Sequence, residues 1–304
     1  MSGITRRRLL AITAAACAAS RLSAAAPVAT WRGHALGAHT EVALPGVTQE
    51  EAAPVFAAIA AELERIERLF SLYRPDSALS RLNRDGVLPD PDPDVLHLLS
   101  VARAVHAVTE GAFDPTVQPL FSLHAEAATG GRPDPDRLQE ARGWIGFDRV
   151  SVAADAVRFG RDGMAMTLNG IAQGFATDRL AQLLTRAGLH NVMVNAGEIR
   201  VLGDGAGHGW PVRLPSGRLL RLTNRAAATS ELGATLVDPG AGIGHIFDPA
   251  GRAGALRSTP VTALHDSAAM ADAASTAAVV LADNQLPLLR KIGVDIVAGP
   301  PERA

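Results

Sequence analysis

Apolar residues recur along this chain with two different periods, and the change from one to the other marks out its elements. From His39 to Leu44 apolar and polar residues alternate, which predicts a strand, and Pro45-Gly46 follows as a turn. Between Glu50 and Phe70 the positions Val55, Ile59, Leu63, Ile66 and Phe70 return every four or three residues, one face of a helix. SLYRPDSALSRLNRDG then reads as a polar loop holding a short helix, and PDPDPD after Leu88 is turn material. Asp94 heads a helix through Val95, Leu98, Leu99, Ala102 and Val105, closed by Gly111, while ATGGRPDPD (128–136) reads as a surface loop.

Short strands dominate the second half. VSVAADAVRF predicts a hairpin, and NVMVNAGEIRVLG predicts a strand broken at its glycine. WPVRL, LLRLTN, AAATS and GHIFDP follow as short strands between Gly, Pro and Asn turns. VTALHDSAAMADAASTAAVVLA is a strand running into a helix, and VDIVAG a last strand. The glycine clusters GDGAGHG (203–209) and GAGIG (240–244) lack the strand–GxGxxG–helix order of dinucleotide binding and read as hairpin turns. No internal repeat is present. Mixed elements followed by consecutive short strands favour an α+β fold of mixed or antiparallel sheets packed with helices over a doubly wound one.

One stretch breaks the pattern. In TLNGIAQGFATDRLAQLL (Thr167–Leu184) an apolar run stops at Asn169-Gly170 and a helix begins at once, with Ala172, Ala176, Leu180, Leu183 and Ala187 as its buried face and Gly188 at its end. Gly174 sits in its first turns, where alanine would be better by about 1 kcal/mol. Either a ligand needs the backbone close at this point, or the helix packs tightly against a neighbour.

Composition is that of a globular protein except at the N-terminus. Residues 1–25 combine Arg6, Arg7 and Arg8 with a short apolar run from Leu9 to Ala19 and a small-x-small site at Ser23-Ala24-Ala25. That run is too short to span a bilayer. Thr5-Arg6-Arg7-Arg8-Leu9-Leu10 resembles a twin-arginine export signal. We therefore expect a segment 1–25 that directs export to the periplasm, and a single domain over 26–304. An ordinary secretory signal would also export the chain. Cys17, the only cysteine, lies in this segment, and the leucine of a lipoprotein site is missing before it, so no lipid anchor is expected. Removing residues 1–25 deletes four arginines and no acids, taking the formal charge from −2 to −6. A mildly acidic protein without a basic cluster is a poor nucleic-acid binder.

Candidate chemistry gathers in the second half. Asp266-Ser267 caps a helix on which Asp272 and Thr276 share one face, with Ser275 beside them and almost only Ala, Val, Met and Leu elsewhere. A carboxylate on such a helix faces water, finds a partner or binds a cation, and with a hydroxyl it forms hard-oxygen ligation suited to Mg²⁺. The pattern by itself fits a solvated face better than a metal site. Two Phe-Asp-Pro tripeptides, 113–115 and 247–249, read as turns or helix starts. His245, two residues before the second, is open to a structural or a catalytic reading. No GxSxG elbow is present, so a serine-histidine-acid triad has no support.

Taken in order, ALGAHTEV, IERLFSLYRPDSALSRLN, GAFDPT, TLNGIAQGFATDRL, VNAGEIRVLG, AATS, GHIFDP and ADAASTAAVVL resemble the flavin transferases of the ApbE type. The resemblance runs from about Gly33 to Val297 and rests on the order and spacing of the motifs. It implies an ApbE-like, T-fold-like α+β architecture and an FAD:protein FMN transferase. Such an enzyme uses FAD as substrate and Mg²⁺ as cofactor, and places FMN on a threonine or serine of a target redox protein, releasing AMP. By motif position, Leu36, Tyr73, Ala112, Phe113, Asp114, Thr167, Gln173 and Ile246 would line the FAD site. The Gly170 carbonyl and Asp272, with Ser275 or Thr276, would hold the metal, and His245 would accept the proton of the incoming hydroxyl. The target would be periplasmic or membrane-anchored, and the export signal is similar to that of accessory proteins of nitrous-oxide respiration. An FAD carrier without turnover and an FAD pyrophosphatase are the alternatives. The chain departs from the family at Gln173, where lysine is common, at Ala196-Gly197-Glu198 for GGD, and at ELGAT after Thr229-Ser230.

Overall fold

The computed structural model describes residues 27–130, 133–240, 242–252 and 256–298. The proposed export segment, 1–25, lies outside them. In chain order the N-terminal elements are β1 (Val28–Ala35), β2 (Ala38–Pro45), α1 (Gln49–Phe70), α2 (Ala78–Asp85), β3 (Val87–Pro89) and α3 (Pro93–Val108). Next come α4 (Gln118–Gly130), α5 (Pro135–Trp144), β4 (Val150–Val152), β5 (Ala156–Phe159), α6 (Ala172–Arg186), β6 (Val192–Ala196) and β7 (Ile199–Leu202). The chain continues through β8 (Trp210–Arg213), β9 (Leu219–Leu222), β10 (Ala226–Ser230), β11 (Leu236–Asp238) and β12 (Ile243–Gly244). It ends with β13 (Val261–His265), α7 (Ala268–Val280) and β14 (Asp295–Ala298).

Seven strands form one sheet in the order β1-β2-β6-β7-β10-β13-β14, and every paired neighbour runs antiparallel. Smaller sheets are β3-β5-β4, β8-β9 and β11-β12. The α+β expectation holds. Helix α7 packs on β10 and β13, α6 on β6 and β7, and α1 on β1, so helices cover one face of the main sheet. Helix α7 is buried on nearly every side because α6 and α3 lie over its outer surface. That double burial is why its sequence is almost continuous Ala, Val and Met.

Several boundaries differ from the sequence reading. Strand β1 has no clean alternation, because its inward residues are the small Ala29 and Ala35 while Arg32 and His34 face outward. Helices flank the stretch read as a loop over 128–136: α4 runs to Gly130, and Asp134 caps α5 through the Asp136 N–H at 2.9 Å. On α6, Leu184 is buried where Leu183 is half-buried, and Ala187 is exposed as the C-cap. GDGAGHG joins β7 to a different sheet rather than closing a hairpin, whereas GAGIG, whose Ala241 lies outside the described residues, leads into β12 and ends as that strand, Ile243–Gly244, paired with β11. GHIFDP is a strand only to Gly244. Beyond it the Asp248 carboxylate collects the Ala250 and Arg252 N–H groups at 3.1 and 2.8 Å and turns the chain away.

The glycine in the first turn of α6 is explained by packing. A Cβ on Gly174 would stand 2.3 Å from the Ala268 carbonyl oxygen and 2.7 Å from the Ala269 Cα of α7. Backbone cannot rotate away as a side chain does, so the close crossing of α6 and α7 exists only without that carbon. Gly174→Ala gains about 1 kcal/mol of helix propensity but incurs overpacking near the upper end of the usual ~1–3 kcal/mol. We expect a net loss of about 2 kcal/mol in urea unfolding; unchanged or increased stability would contradict the packing account.

Candidate active site

The crossing of α6 and α7 brings two helix N-termini together, and each is satisfied by a carboxylate of the other helix. The first turn of α6 has no side-chain cap at Ile171, and the Gly174 N–H donates instead to Asp272 Oδ2 on α7 at 3.0 Å. In return Asp178 on α6 accepts the first N–H groups of α7, Ala268 at 2.8 Å and Ala269 at 3.1 Å, and the Ser267 hydroxyl at 2.6 Å. Arg200 on β7 pairs with Asp178. A negative group at a helix N-terminus takes up orphan N–H donors and opposes the helix dipole, so both carboxylates stabilise the crossing.

Asp272 is 4% exposed and Ser275 fully buried, which removes the solvated-face reading of this helix. The Ser275 hydroxyl lies 2.8 Å from that of Ser230 at the end of β10, and Thr276 Oγ1 is 3.3 Å from the same oxygen. A Cβ built on Gly170 would meet Thr276 Oγ1 at 2.9 Å, so the loop before α6 runs directly against this hydroxyl. Glu198, between β6 and β7, accepts the Thr229 N–H at 3.1 Å. Burial pushes the Asp272 carboxyl up to about 7, with the Gly174 N–H partly opposing it. Burial and then the Asp272 charge push Glu198 well above the usual carboxylate range. Among the described residues no Lys, Arg or His forms a salt bridge with either. Nor does any group of three or more His, Cys, Asp or Glu side chains form a metal cluster there. What stands here is an oxygen site of two desolvated carboxyls and three hydroxyls, and its chemistry fits a hard divalent cation.

A second set of contacts surrounds the turn between β1 and β2. Leu36 has φ +50°, a conformation that costs a non-glycine residue about 1–2 kcal/mol. Its backbone is clamped at both ends: the N–H donates to Glu67 Oε1 on α1 at 2.6 Å, and the carbonyl accepts from Gln173 Nε2 at 3.2 Å. Gln173 also lies over Gly197 (φ +97°), where a Cβ would meet its Oε1 at 2.7 Å. This turn, the start of α6 and the β6–β7 turn are thereby brought together. Ala112, Phe113 and Asp114 are buried, and the Thr167 N–H donates to the Pro115 carbonyl at 2.8 Å, joining the first Phe-Asp-Pro loop to the segment before α6. The Asp114 carboxylate accepts from Thr116 N at 2.8 Å, Thr116 Oγ1 at 2.5 Å and Phe147 N at 3.0 Å, which fixes that loop. Tyr73 is 82% exposed.

His245 lies just past β12, followed by the buried Ile246. Its Nδ1 is 3.1 Å from the Thr235 carbonyl oxygen, which only accepts, so Nδ1 carries the proton and the neutral ring keeps its lone pair on Nε2. Burial lowers the pKa of this histidine, with the Thr235 bond opposing it, so the neutral ring is favoured.

The model of the ApbE family matches residues 36–297. This chain belongs to the ApbE family. An FAD:protein FMN transferase of Haemophilus influenzae is 30% identical over 168 residues, 51% of this chain and 49% of that protein. The protein of the same name in Vibrio cholerae is 29% identical over 260 residues, 77% of this chain and 78% of that protein. This chain thus spans about half of the Haemophilus relative. The crystal structure of the flavinyl transferase ApbE of Pseudomonas stutzeri, apo form, superposes with a TM-score of 0.77 at 24% identity, covering 91% of this chain and 92% of that one. That likeness shows the ApbE fold.

Sequence reasoning did not assign Glu198, Asp178, Glu67 or Ser230 to this part of the ApbE fold. Glu198 carried a signal, since it stood out as a departure in AGE, but only the β6–β7 turn brings it to Asp272. Asp178 and Glu67 look like ordinary helix-surface acids until their helices are packed.

Raised carboxyl pKa values mean that protons compete with a cation as pH falls. Magnesium at about 100 times its dissociation constant should add about 2.7 kcal/mol to stability. The thermal shift should be larger near pH ~8 than near pH ~5, because acid protonates both carboxyls. Asp272→Asn keeps an acceptor for the Gly174 N–H and should abolish the shift. A full magnesium response in that variant would remove Asp272 from the site.

Proposed function

We propose that this protein is a magnesium-dependent FAD:protein FMN transferase that moves FMN from FAD to a threonine or serine hydroxyl of a target protein and releases AMP. The observation that carries this reading is the pair of carboxyls raised by desolvation, the buried Asp272 and the half-buried Glu198, beside the hydroxyls of Ser275, Thr276 and Ser230, with no cationic side chain bonded to either acid among the described residues. The activity for which the two relatives are named, FAD:protein FMN transfer, supports the flavin chemistry. With magnesium bound, the Gly170 carbonyl, Asp272 and Ser275 or Thr276 would hold it, and it would supply charge neutralisation on the FAD pyrophosphate.

The chain's own residues position the reaction. Leu36, Tyr73, Ala112, Phe113, Asp114, Thr167, Gln173 and Ile246 are assigned to FAD, with the exposed Tyr73 ring offering a face to a planar ring system. In transfer the target hydroxyl oxygen bonds to the FMN phosphorus and the phosphorus–oxygen bond to AMP breaks. The hydroxyl proton passes to His245 Nε2, the ring atom left with a lone pair. We assign residues 1–25 to twin-arginine-type export, which would set the reaction on a periplasmic or membrane-anchored redox protein.

Incubation of the protein with FAD, magnesium and an acceptor peptide distinguishes the three readings by mass spectrometry. Covalent FMN on the acceptor threonine or serine supports transfer. Free FMN with unmodified acceptor points to a pyrophosphatase, and intact bound FAD to a carrier. His245→Asn should slow transfer by about 10²-fold or more. The base works only when neutral and burial lowers its pKa, so the acid limb of the rate profile should lie below the ordinary histidine value of 6.5. An acid limb above that value, or an unaffected Asn variant, would end the base assignment. Gln173→Ala frees the Leu36 carbonyl and should raise KM for FAD several-fold with a smaller change in kcat. Equal losses in kcat and kcat/KM would instead place Gln173 in the transition state.

A further inference from the structure

The β1–β2 hairpin carries two imidazoles that flavin transfer does not use. His34 and His39 are register partners across the hairpin, both exposed, with ring centroids 4.0 Å apart and planes tilted by 40°. The register explains the approach. Ala35 and Ala38 close a two-residue turn in which Leu36 and Gly37 have φ +50° and +78°, so they form the hydrogen-bonded pair. His34 and His39 are then the next, non-hydrogen-bonded pair, whose Cα atoms stand about 4.5 Å apart with side chains on one face. Ala35, Thr40, Val42 and Leu44 are buried, so a slip of register that would separate the rings would also expose this inner set.

Neither ring forms a hydrogen bond or ion pair with another described residue, and the ring each one meets is that of the other histidine. The adjoining pair on the same face, Arg32 and Glu41, is an exposed ion pair at 3.2 Å, so the arginine charge beside the rings is already partnered.

We propose that His34 and His39 form a two-imidazole binding site for a divalent transition metal, with copper(II) bound most tightly among zinc, nickel and copper. Imidazole nitrogen is a donor these ions prefer, whereas magnesium takes oxygen, so this site and the carboxyl site at Asp272 select different ions. The backbone register already holds both donors on one face, which reduces the ordering needed on binding. Exposed rings turn to direct one nitrogen each at the ion, and water completes the coordination. The ion links β1 to β2 two residues from the strained Leu36 and stiffens the turn whose carbonyl Gln173 holds.

Titration of the full, untagged chain with copper(II), in excess magnesium at neutral pH and followed by electron paramagnetic resonance, tests the site. One copper per chain with nitrogen splitting from two imidazoles is expected. His34→Ala and His39→Ala should each weaken binding by at least about tenfold, the loss that even outer partners of metal ligands typically cause. Both substitutions are at exposed positions, and an unchanged magnesium-induced thermal shift shows that the fold is kept. Asp272→Asn should bind copper as the parent does. Copper held equally well by both alanine variants, a signal without imidazole nitrogen, or binding lost in Asp272→Asn would each overturn the proposal.

Discussion

Two helices that begin at the same place must dispose of two sets of unpaired N–H groups without water. In this protein each helix uses a carboxylate of the other: Asp272 of α7 takes the Gly174 N–H, and Asp178 of α6 takes the first two N–H groups of α7. The exchange works only because Gly174 carries no Cβ, which allows the α6 backbone to reach the Ala268 carbonyl. Much of the site follows from this crossing. It sets Gly170 against Thr276, buries Asp272, and turns the loop from Thr167 toward the first Phe-Asp-Pro segment.

The same crossing leaves an imbalance of charge. One oxygen of Asp272 is used by the helix, and Glu198 arrives from the β6–β7 turn with its own desolvated carboxyl. The buried Asp272 and the half-buried Glu198, with no cationic side chain bonded to either among the described residues, are unfavourable when both are ionised, and on the proposed reading a divalent ion would gain affinity from relieving them.

Gln173 takes on a clear part within this arrangement. Its amide donates to the Leu36 carbonyl while Glu67 holds the Leu36 N–H, so a strained turn is fastened from two helices. That task requires a donor and not a charge. The neutral residue at a position where ApbE proteins often have lysine is therefore compatible with an intact turn. The Asp114 carboxylate is likewise spent on the backbone and hydroxyl of its own loop and of Phe147. It shapes the loop that carries Phe113.

Periodicity was sufficient for α1, α3, α6, α7 and most strands, because those elements bury one face or both in a regular way. It failed where the signal was carried by small residues, as in β1, and where Gly and Pro stand at helix ends rather than in a loop, as between α4 and α5. Motif order disclosed the family and pointed to Gly170, Gln173, His245 and Asp272. The sequence left open whether Asp272 faced water and whether Gly174 served a ligand or a neighbour, since both depend on what lies across α7. Local chemistry determines which residues form a helix, a turn or a cap. Which carboxylates lose water, and which N–H groups they receive, is decided by contacts between Gly174 and Asp272, 98 residues apart, and between Asp178 and Ala268, 90 apart, and those exist only once α6 and α7 have packed.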